Sequence, residues 1–292
     1  RARGGPANFS FVPVRELVFD LDLPPAERWA KHCAEFASST PLLETFARAT
    51  LARLGDAEAA AVLKLAADVT GFLGAEAAAE IEGCGKAMGL ELGVLTTLNL
   101  SYILRRLMGG DHNTTGPLPA GADRAAGSIA CTSLAADGGA RGECAVVHGR
   151  NLDWGLPDEL KNLTVALKWR KGGEELMTTI GPIGFFGVLT AFKSGRYAAS
   201  INERAHGGPF LEDLAELLLL GRKLPSHALR EALLAADTYA DLGARLAAAE
   251  LVAPVYYVVS GAQRGEASVI TRDRTGVAGA PVSLDNGVSL DN

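Results

Sequence analysis

Through most of the first 110 positions, apolar residues recur three and four places apart, the spacing of one face of an α-helix. One strand is predicted ahead of these helices, at 16–22. Pro24 and Pro25 suit the first turn of a helix, and Gly89 suits a helix end. The predicted helices span 24–37, 41–54, 57–74, 75–90 and 92–109.

After a loop at 109–128, which is rich in Gly, Pro, Asn and Asp, the pattern changes to alternation with a period of two. Such alternation predicts strands, and short turns join them into hairpins. The paired strands are 131–136 with 144–153, 163–170 with 175–180, 185–193 with 196–202, and 253–261 with 267–273. Further helices are predicted at 210–221, 226–237 and 239–250. Separate blocks of helices and antiparallel hairpins favour an α+β fold.

Composition excludes only a few classes of function. The 292 residues suffice for one large domain or two small ones, and the net charge of −6 argues against nucleic acid as a partner. No apolar run reaches the roughly 18 residues of a membrane-spanning helix. The start of the chain lacks the apolar segment of a signal peptide, which also fits a mature N-terminus. Five scattered histidines show no metal-ligand spacing, so we expect neither metal nor cofactor.

Cys131 stands where the loop gives way to the first hairpin. If the turn is centred near Ala140, antiparallel pairing sets Cys131 opposite Gly149, with Arg150 and Asp153 close by. A guanidinium stabilises a thiolate, and a carboxylate can orient a neighbouring amine. This hairpin therefore supplies a nucleophile, a cation and an anion.

The hairpin supplies no obvious histidine base for that thiol. Strand alternation puts His148 and Arg150 together on one face. A cut between Ala130 and Cys131 would supply a different base, because the new α-amine has an ordinary pKa near 8 and lies within reach of its own thiol. That is the chemistry of N-terminal nucleophile hydrolases.

Three other interpretations of these residues stay open. Cys131 could be an ordinary buried cysteine at the start of a strand. It could also form a papain-like pair with His148 or His206, although no third orienting residue is evident. Arg150 and Asp153 could form a plain structural ion pair.

The remaining cysteines and the glycosylation sequons carry weaker signals. Cys33 and Cys84 fall on predicted helices, where core or edge positions are expected, and four cysteines are too few for a disulfide scaffold. Of the four sequons, the one in the 109–128 loop is the best glycosylation candidate. The sequon asparagines are Asn8, Asn99, Asn113 and Asn162.

Several segments of the chain resemble one known family. CTS at 131–133, followed by VVHGRNLDW at 146–154, resembles the processing site and following hairpin of the acid ceramidase and N-acylethanolamine acid amidase family. Other segments resemble the family in the same order along the chain: LDLPPAERW, EIEGCGKAMGL, FGVLTAFKSGRYAASINER and APVYYVVSGAQRGEASVITRDR. LDLPP and LTAFK with INER lean towards acid ceramidase.

The resemblance implies an αββα N-terminal nucleophile hydrolase sandwich within the α+β class. The chain would be made as one precursor and cut between Ala130 and Cys131. Residues 1–130 would form a helical, propeptide-like α-subunit, and residues 131–292 the catalytic β-subunit of an α/β heterodimer.

The resemblance also implies a role for each site residue. Cys131 would be the nucleophile and, through its α-amine, the general base. Arg150 would lie beside the scissile carbonyl, and Asp153 would hold the α-amine. Glu203 would be an acid of the substrate pocket.

The implied function is that of a lysosomal-type amidohydrolase that cleaves ceramide to fatty acid and sphingosine. Hydrolysis of N-acylethanolamines, or lipid binding by a catalytically impaired relative, are the alternatives. A glycosylated zymogen with a lysosomal or secreted location is implied, together with contact to a membrane surface or an activator protein.

Two motifs of the family are missing from the chain as given. The family has a T-N-Y-D motif, whose asparagine helps form the oxyanion hole, and a D-D-R-R motif with a further functional arginine. The chain ends in PVSLDNGVSLDN and contains neither. One oxyanion donor is worth roughly 100- to 1000-fold in rate, so we expect a C-terminally incomplete catalytic segment with poor activity as written.

Overall fold

The computed structural model describes residues 14–51, 54–101, 103–104, 129–138, 145–154, 158–204, 210–284 and 290–291, and the fold is that of these residues. The helices are α1 (Pro25–Arg28), α2 (Ala30–Glu35), α3 (Thr40–Thr50), α4 (Asp56–Val69), α5 (Ala75–Met88), α6 (Leu92–Asn99), α7 (Phe210–Leu220), α8 (Pro225–Ala235) and α9 (Tyr239–Ala248). The strands are β1 (Arg15–Asp20), β2 (Ile129–Asp137), β3 (Val146–Trp154), β4 (Thr164–Lys171), β5 (Glu174–Pro182), β6 (Thr190–Lys193), β7 (Tyr197–Glu203), β8 (Val255–Gly261), β9 (Ala267–Arg272), β10 (Val282–Ser283) and β11 (Leu290–Asp291).

Two sheets contain these strands. The large sheet has the order β1-β4-β5-β6-β7-β8-β9-β10, and the small sheet has the order β11-β2-β3. The four predicted hairpins are present as antiparallel pairs. The parallel pairing of β1 with β4 was not predicted, and neither were the short strands β10 and β11. The helical N-terminal region therefore also contributes an edge strand to the large sheet.

Strand β7 shows how the layers form. Its residues Tyr197, Ala199 and Ile201 are buried in the main apolar core with the helices. Because alternate residues face opposite sides of a sheet, Ser200 and Asn202 face the other way, towards the small sheet. Both are almost completely buried. Apolar residues thus hold β7 against the helices, and polar residues hold it against the second sheet.

The α+β class, with a helical N-terminal region and two stacked sheets, is confirmed. Tyr197 and Tyr257 donate their hydroxyls to backbone carbonyls of α8, at Leu233 and Pro225, which fixes that helix on one face of the large sheet. The small sheet covers part of the opposite face. An outer helical layer over the small sheet is not among the residues that the structure describes.

The predicted helix at 24–37 is wrong as a single element. The chain leaves the helix at Trp29, whose φ of −98° and ψ of −20° separate α1 from α2. The indole ring packs edge-on against Phe19 and Phe186, each at a centroid distance of 5.1 Å. Local periodicity carries no information about these long-range ring contacts.

A disulfide joins Cys33 of α2 to Cys84 of α5, with Cα atoms 5.3 Å apart. Both residues are completely buried, so the expected core location is confirmed. The pairing itself was not predicted, because 51 residues separate the two cysteines in sequence. None of the described helices is long and apolar enough to cross a membrane.

Candidate active site

Cys131 lies near the start of β2, is 4% exposed and keeps its thiol. The predicted position opposite Gly149 is wrong, because the register pairs Cys131 with Leu152. The predicted turn centre near Ala140 was too early. Strand β3 begins only at Val146, which moves the pairing by three residues. Cys131 is therefore farther from the turn than the sequence indicated, with its partner Leu152 two residues from the end of β3.

This register fixes the backbone positions of Arg150 and Asp153 relative to Cys131. Arg150 is paired with Ser133, two residues beyond the cysteine, and Asp153 is paired with Ala130, the residue before it. Directly paired residues share a face of the sheet. Cys131, Ser133 and Arg150 therefore face the large sheet together.

Asn202 of β7 is the centre of the contacts beneath Cys131. Its Nδ2 donates to the backbone carbonyl of Cys131 at 3.0 Å. Its Oδ1 accepts from the Ser133 hydroxyl at 2.7 Å and from Arg150 Nη1 at 2.8 Å. One buried amide thus ties the nucleophile strand to the neighbouring guanidinium. Sequence reasoning did not predict that this residue bridges Cys131 and Arg150, although two polar positions in an otherwise apolar strand were a signal.

The direction of every hydrogen bond in this cluster follows from Arg150, which can only donate. The asparagine oxygen must accept, so the Ser133 hydroxyl donates to it and accepts from Ser200 at 2.8 Å. Ser200 then accepts from His148 Nε2 at 3.0 Å, so the imidazole carries a proton on that nitrogen. Nδ1 lies 2.9 Å from the Ser260 hydroxyl and accepts from it when the ring is neutral.

His148 shares a face with Arg150, as predicted. Burial first, and the charge of Arg150 second, lower the pKa of His148 to about 4. Both ring nitrogens are engaged by serines, so the imidazole is not available to take a proton from the Cys131 thiol. The papain-like pair with His148 is therefore not supported, and His206 lies outside the described residues.

Arg150 has hydrogen-bond donors that are not used within the described part of the structure. Its Nε and Nη2 atoms are buried and have no hydrogen-bond partner within the described part of the chain. Buried donors without a partner are rare in folded proteins and point to a ligand or water. A carbonyl oxygen beside Cys131 would be a suitable acceptor.

Several known proteins are similar to this chain. No family model matches the chain. An N-acylethanolamine-hydrolyzing acid amidase from Cavia porcellus is 30% identical over 281 residues, which cover 94% of this chain and 69% of that protein. The chain belongs to the acid ceramidase and N-acylethanolamine acid amidase family. Acid ceramidase from Mus musculus is 27% identical, over 90% of this chain and 64% of that protein.

The chain thus spans about two thirds of the length of these amidohydrolases. A solved structure described as the Caenorhabditis elegans N-acylethanolamine-hydrolyzing acid amidase ortholog is also similar. It is 26% identical, with a TM-score of 0.46, and the match covers 53% of this chain and 65% of that one.

The two acids that the family resemblance singled out occupy different places. The Asp153 side chain lies outside the described part of the structure, and only the backbone pairing with Ala130 is known. Glu203 ends β7 and is paired with Val255. By alternation, Glu203 lies on the face opposite to Asn202. The roles given to Cys131, Arg150, Asp153 and Glu203 remain predictions.

Other possible sites in the described residues are few. No group of three or more His, Cys, Asp or Glu side chains there could hold a metal ion. A small cleft between the 185–189 loop, the middle of β4 and the C-terminal end of β5 has room for about one water molecule.

The sequons differ in exposure. Asn99 is buried and donates to Leu95 and Gly184, so it cannot carry a glycan in the folded protein. Asn162 is exposed. Asn8 and the preferred Asn113 lie outside the described residues.

Proposed function

We propose that this protein is a cysteine amidohydrolase that cleaves the amide bond of ceramide to fatty acid and sphingosine. One observation carries the proposal: Asn202 joins the backbone of Cys131 to Arg150, which leaves two buried guanidinium donors beside a buried cysteine. Membership of an amidohydrolase family supports the reaction class. The LDLPP and LTAFK segments favour ceramide as the substrate.

Activation would begin with cleavage of the peptide bond between Ala130 and Cys131. The Cys131 thiol attacks the Ala130 carbonyl, and a thioester forms as the peptide carbon–nitrogen bond breaks and the thiol proton passes to the nitrogen. Water then hydrolyses the thioester and releases the carboxyl group of Ala130. The product is a new chain that starts with a free α-amine. Pairing of Asp153 with Ala130 puts an aspartate beside that terminus, which supports the predicted role of Asp153 in orienting the amine.

Hydrolysis would use the same groups. The α-amine takes the thiol proton, the thiolate attacks the lipid amide carbon, and a carbon–sulfur bond forms. As the carbon–nitrogen bond breaks, the α-ammonium returns its proton to the leaving amine. Water, deprotonated by the α-amine, then releases the fatty acid. The spare donors of Arg150 would stabilise the oxyanion at each stage.

N-acylethanolamines are the second candidate substrates. The 30% identity to the amidase from Cavia porcellus, over 94% of this chain, favours them. Both substrates present a fatty amide to the thiol and differ in the amine. The chemistry at Cys131 would be the same, and only the pocket for the leaving group would differ.

The test is a side-by-side assay of the purified chain with both substrates in mixed vesicles at about pH 4.5 and pH 7. We expect a new N-terminus beginning Cys-Thr-Ser, and faster release of sphingosine than of ethanolamine. Cys131→Ala should abolish both cleavage and hydrolysis, because it removes the only nucleophile in the scheme.

Cys144→Ala is the matched control for that assay, and it should retain both activities. Equal losses in the two variants would attribute the effect to disrupted folding. Faster release of ethanolamine would assign the protein to the second candidate.

Two features of the structure support the proposed location of the enzyme and its contact with a lipid surface or an activator protein. The Cys33–Cys84 disulfide supports a secreted or lysosomal location, because such bonds persist in oxidising compartments. Leu219 and Leu220, at the end of α7, are 80% and 60% exposed, which supports contact with a lipid surface or an activator protein. Co-sedimentation with the assay vesicles tests that contact.

A further inference from the structure

Cleavage before Cys131 would change how that residue is held. In the uncut chain, β2 continues through Ile129 and Ala130, which pair with Trp154 and Asp153. After the cut, the covalent link to these residues is gone and Cys131 becomes a chain terminus. Terminal residues fray unless other contacts hold them.

Asn202 provides such a contact from a different sheet. Its Nδ2 donates to the carbonyl of Cys131 itself, on the side of the residue that cleavage does not touch. The amide cannot rotate freely, because its oxygen accepts from both Ser133 and Arg150. Asn202 is 1% exposed, so water does not compete for these bonds.

We propose that Asn202 is a positioning residue that holds Cys131 against Arg150 once Cys131 has become the N-terminus. This inference rests on the proposed function. It assigns Asn202 no contact with substrate. The residue acts through the cysteine, by fixing the distance between the nucleophile and the guanidinium.

The two chemical steps should depend on this contact to different degrees. During cleavage, Cys131 is held by the chain on both sides, so loss of one hydrogen bond changes its position little. During lipid hydrolysis, the covalent chain holds it on the C-terminal side only. A misplacement of about 1 Å at a reacting group costs up to roughly 100-fold in rate. Asn202 should therefore matter for hydrolysis and matter little for cleavage.

The decisive variant is Asn202→Asp. It keeps the size of the side chain and the acceptor for Ser133 and Arg150, but removes the donor to the Cys131 carbonyl. We expect cleavage within about threefold of the wild-type rate, and a kcat for the cleaved enzyme reduced about 10- to 100-fold. KM should stay close to that of the wild type.

Ser133→Ala is the milder second variant, because it removes one of the two groups that hold the Asn202 oxygen. Its kcat should fall by less than that of Asn202→Asp, with cleavage again unchanged. Gln263→Glu, the same change of an amide to a carboxylate at an exposed position of the turn between β8 and β9, is the control and should alter neither step.

Hydrogen exchange of the Thr132 and Ser133 amides gives a readout that does not depend on turnover. In the cleaved protein these amides should exchange faster in Asn202→Asp than in the wild type. Equal loss of cleavage and hydrolysis, or unchanged kcat and exchange, overturns the positioning role. Wild-type protein that is cleaved but hydrolyses no lipid amide overturns the proposed function alone, and the exchange rates then decide on Asn202.

Discussion

His148 is buried between the two sheets in its neutral form. The free energy of unfolding should therefore depend on pH through this residue. Burial and the nearby Arg150 lower its pKa to about 4, from an ordinary value of 6.5. In the unfolded chain, the histidine takes up a proton as the pH falls below 6.5, whereas in the folded protein it does so only near pH 4. Stability therefore falls as the pH falls through this window.

The corresponding prediction compares the wild type with His148→Gln. Each pH unit in this window lowers the free energy of unfolding by about 1.4 kcal/mol per histidine. The free energy of unfolding of the wild type should therefore fall by about 2–3 kcal/mol more than that of the variant between pH 6.5 and 4.5. Urea unfolding at the two pH values measures the difference. His227, whose pKa burial also lowers to about 4, is present in both proteins, so its contribution cancels. Equal pH dependence in the two proteins would rule out the neutral His148.

Among the secondary-structure elements, α5 and α8 are joined by a buried charge cluster. Glu80 of α5 is completely buried and accepts from Arg28 of α1 and from both terminal nitrogens of Arg230 of α8. The Arg230 guanidinium also lies 4.8 Å from the ring centroid of Trp169 on β4. One carboxylate thus joins three helices, and Arg230 extends the cluster to β4.

Removal of that carboxylate should lower the free energy of unfolding substantially. Glu80→Gln keeps the volume but leaves the buried Arg230 guanidinium without its anion and leaves Arg28 with only the exposed Glu76. Breaking a buried pair in this way costs about 3–5 kcal/mol. Urea unfolding at neutral pH measures the loss. Glu76→Gln is the matched control, since Glu76 also pairs with Arg28 but is 68% exposed, and it should change stability by less than about 1 kcal/mol. Similar losses in both variants would contradict this account.

In the molecule as a whole, residues before and after position 131 share one core. Strand β1 completes the edge of the large sheet beside β4. Asn99 bonds to the backbone of Gly184 and Phe186 across the same boundary. The Glu80–Arg230 pair is a third link of this kind. The disulfide joins Cys33 to Cys84 and does not cross the boundary.

The two proposed chains should therefore stay together after cleavage without a covalent link. We expect one peak containing both chains in size-exclusion chromatography under native conditions. A denaturing gel without reductant should resolve two bands, and cleaved Cys33→Ala/Cys84→Ala protein should give the same two bands. A single band that resolves only with reductant would reveal an inter-chain disulfide and contradict the prediction.

Local patterns in the sequence were enough to predict most elements and the fold class. The turn between β4 and β5 illustrates this, because Gly172 and Gly173 adopt positive φ angles of 60° and 81° that other residues avoid. Alternation likewise predicted that His148 and Arg150 share a face. Such features depend on neighbours within a few residues, and these neighbours can be read directly from the chain. The family resemblance added the predicted roles of Cys131, Arg150, Asp153 and Glu203.

Only the tertiary structure decided which distant residues meet. The register that pairs Cys131 with Leu152 depends on the length of the hairpin loop, and a period of two gives the face of a residue but not its partner. The break at Trp29 and the Cys33–Cys84 bond depend on packing across the core. Asn202 becomes the centre of the site only because the two sheets stack, which brings positions 71 residues apart within hydrogen-bonding distance.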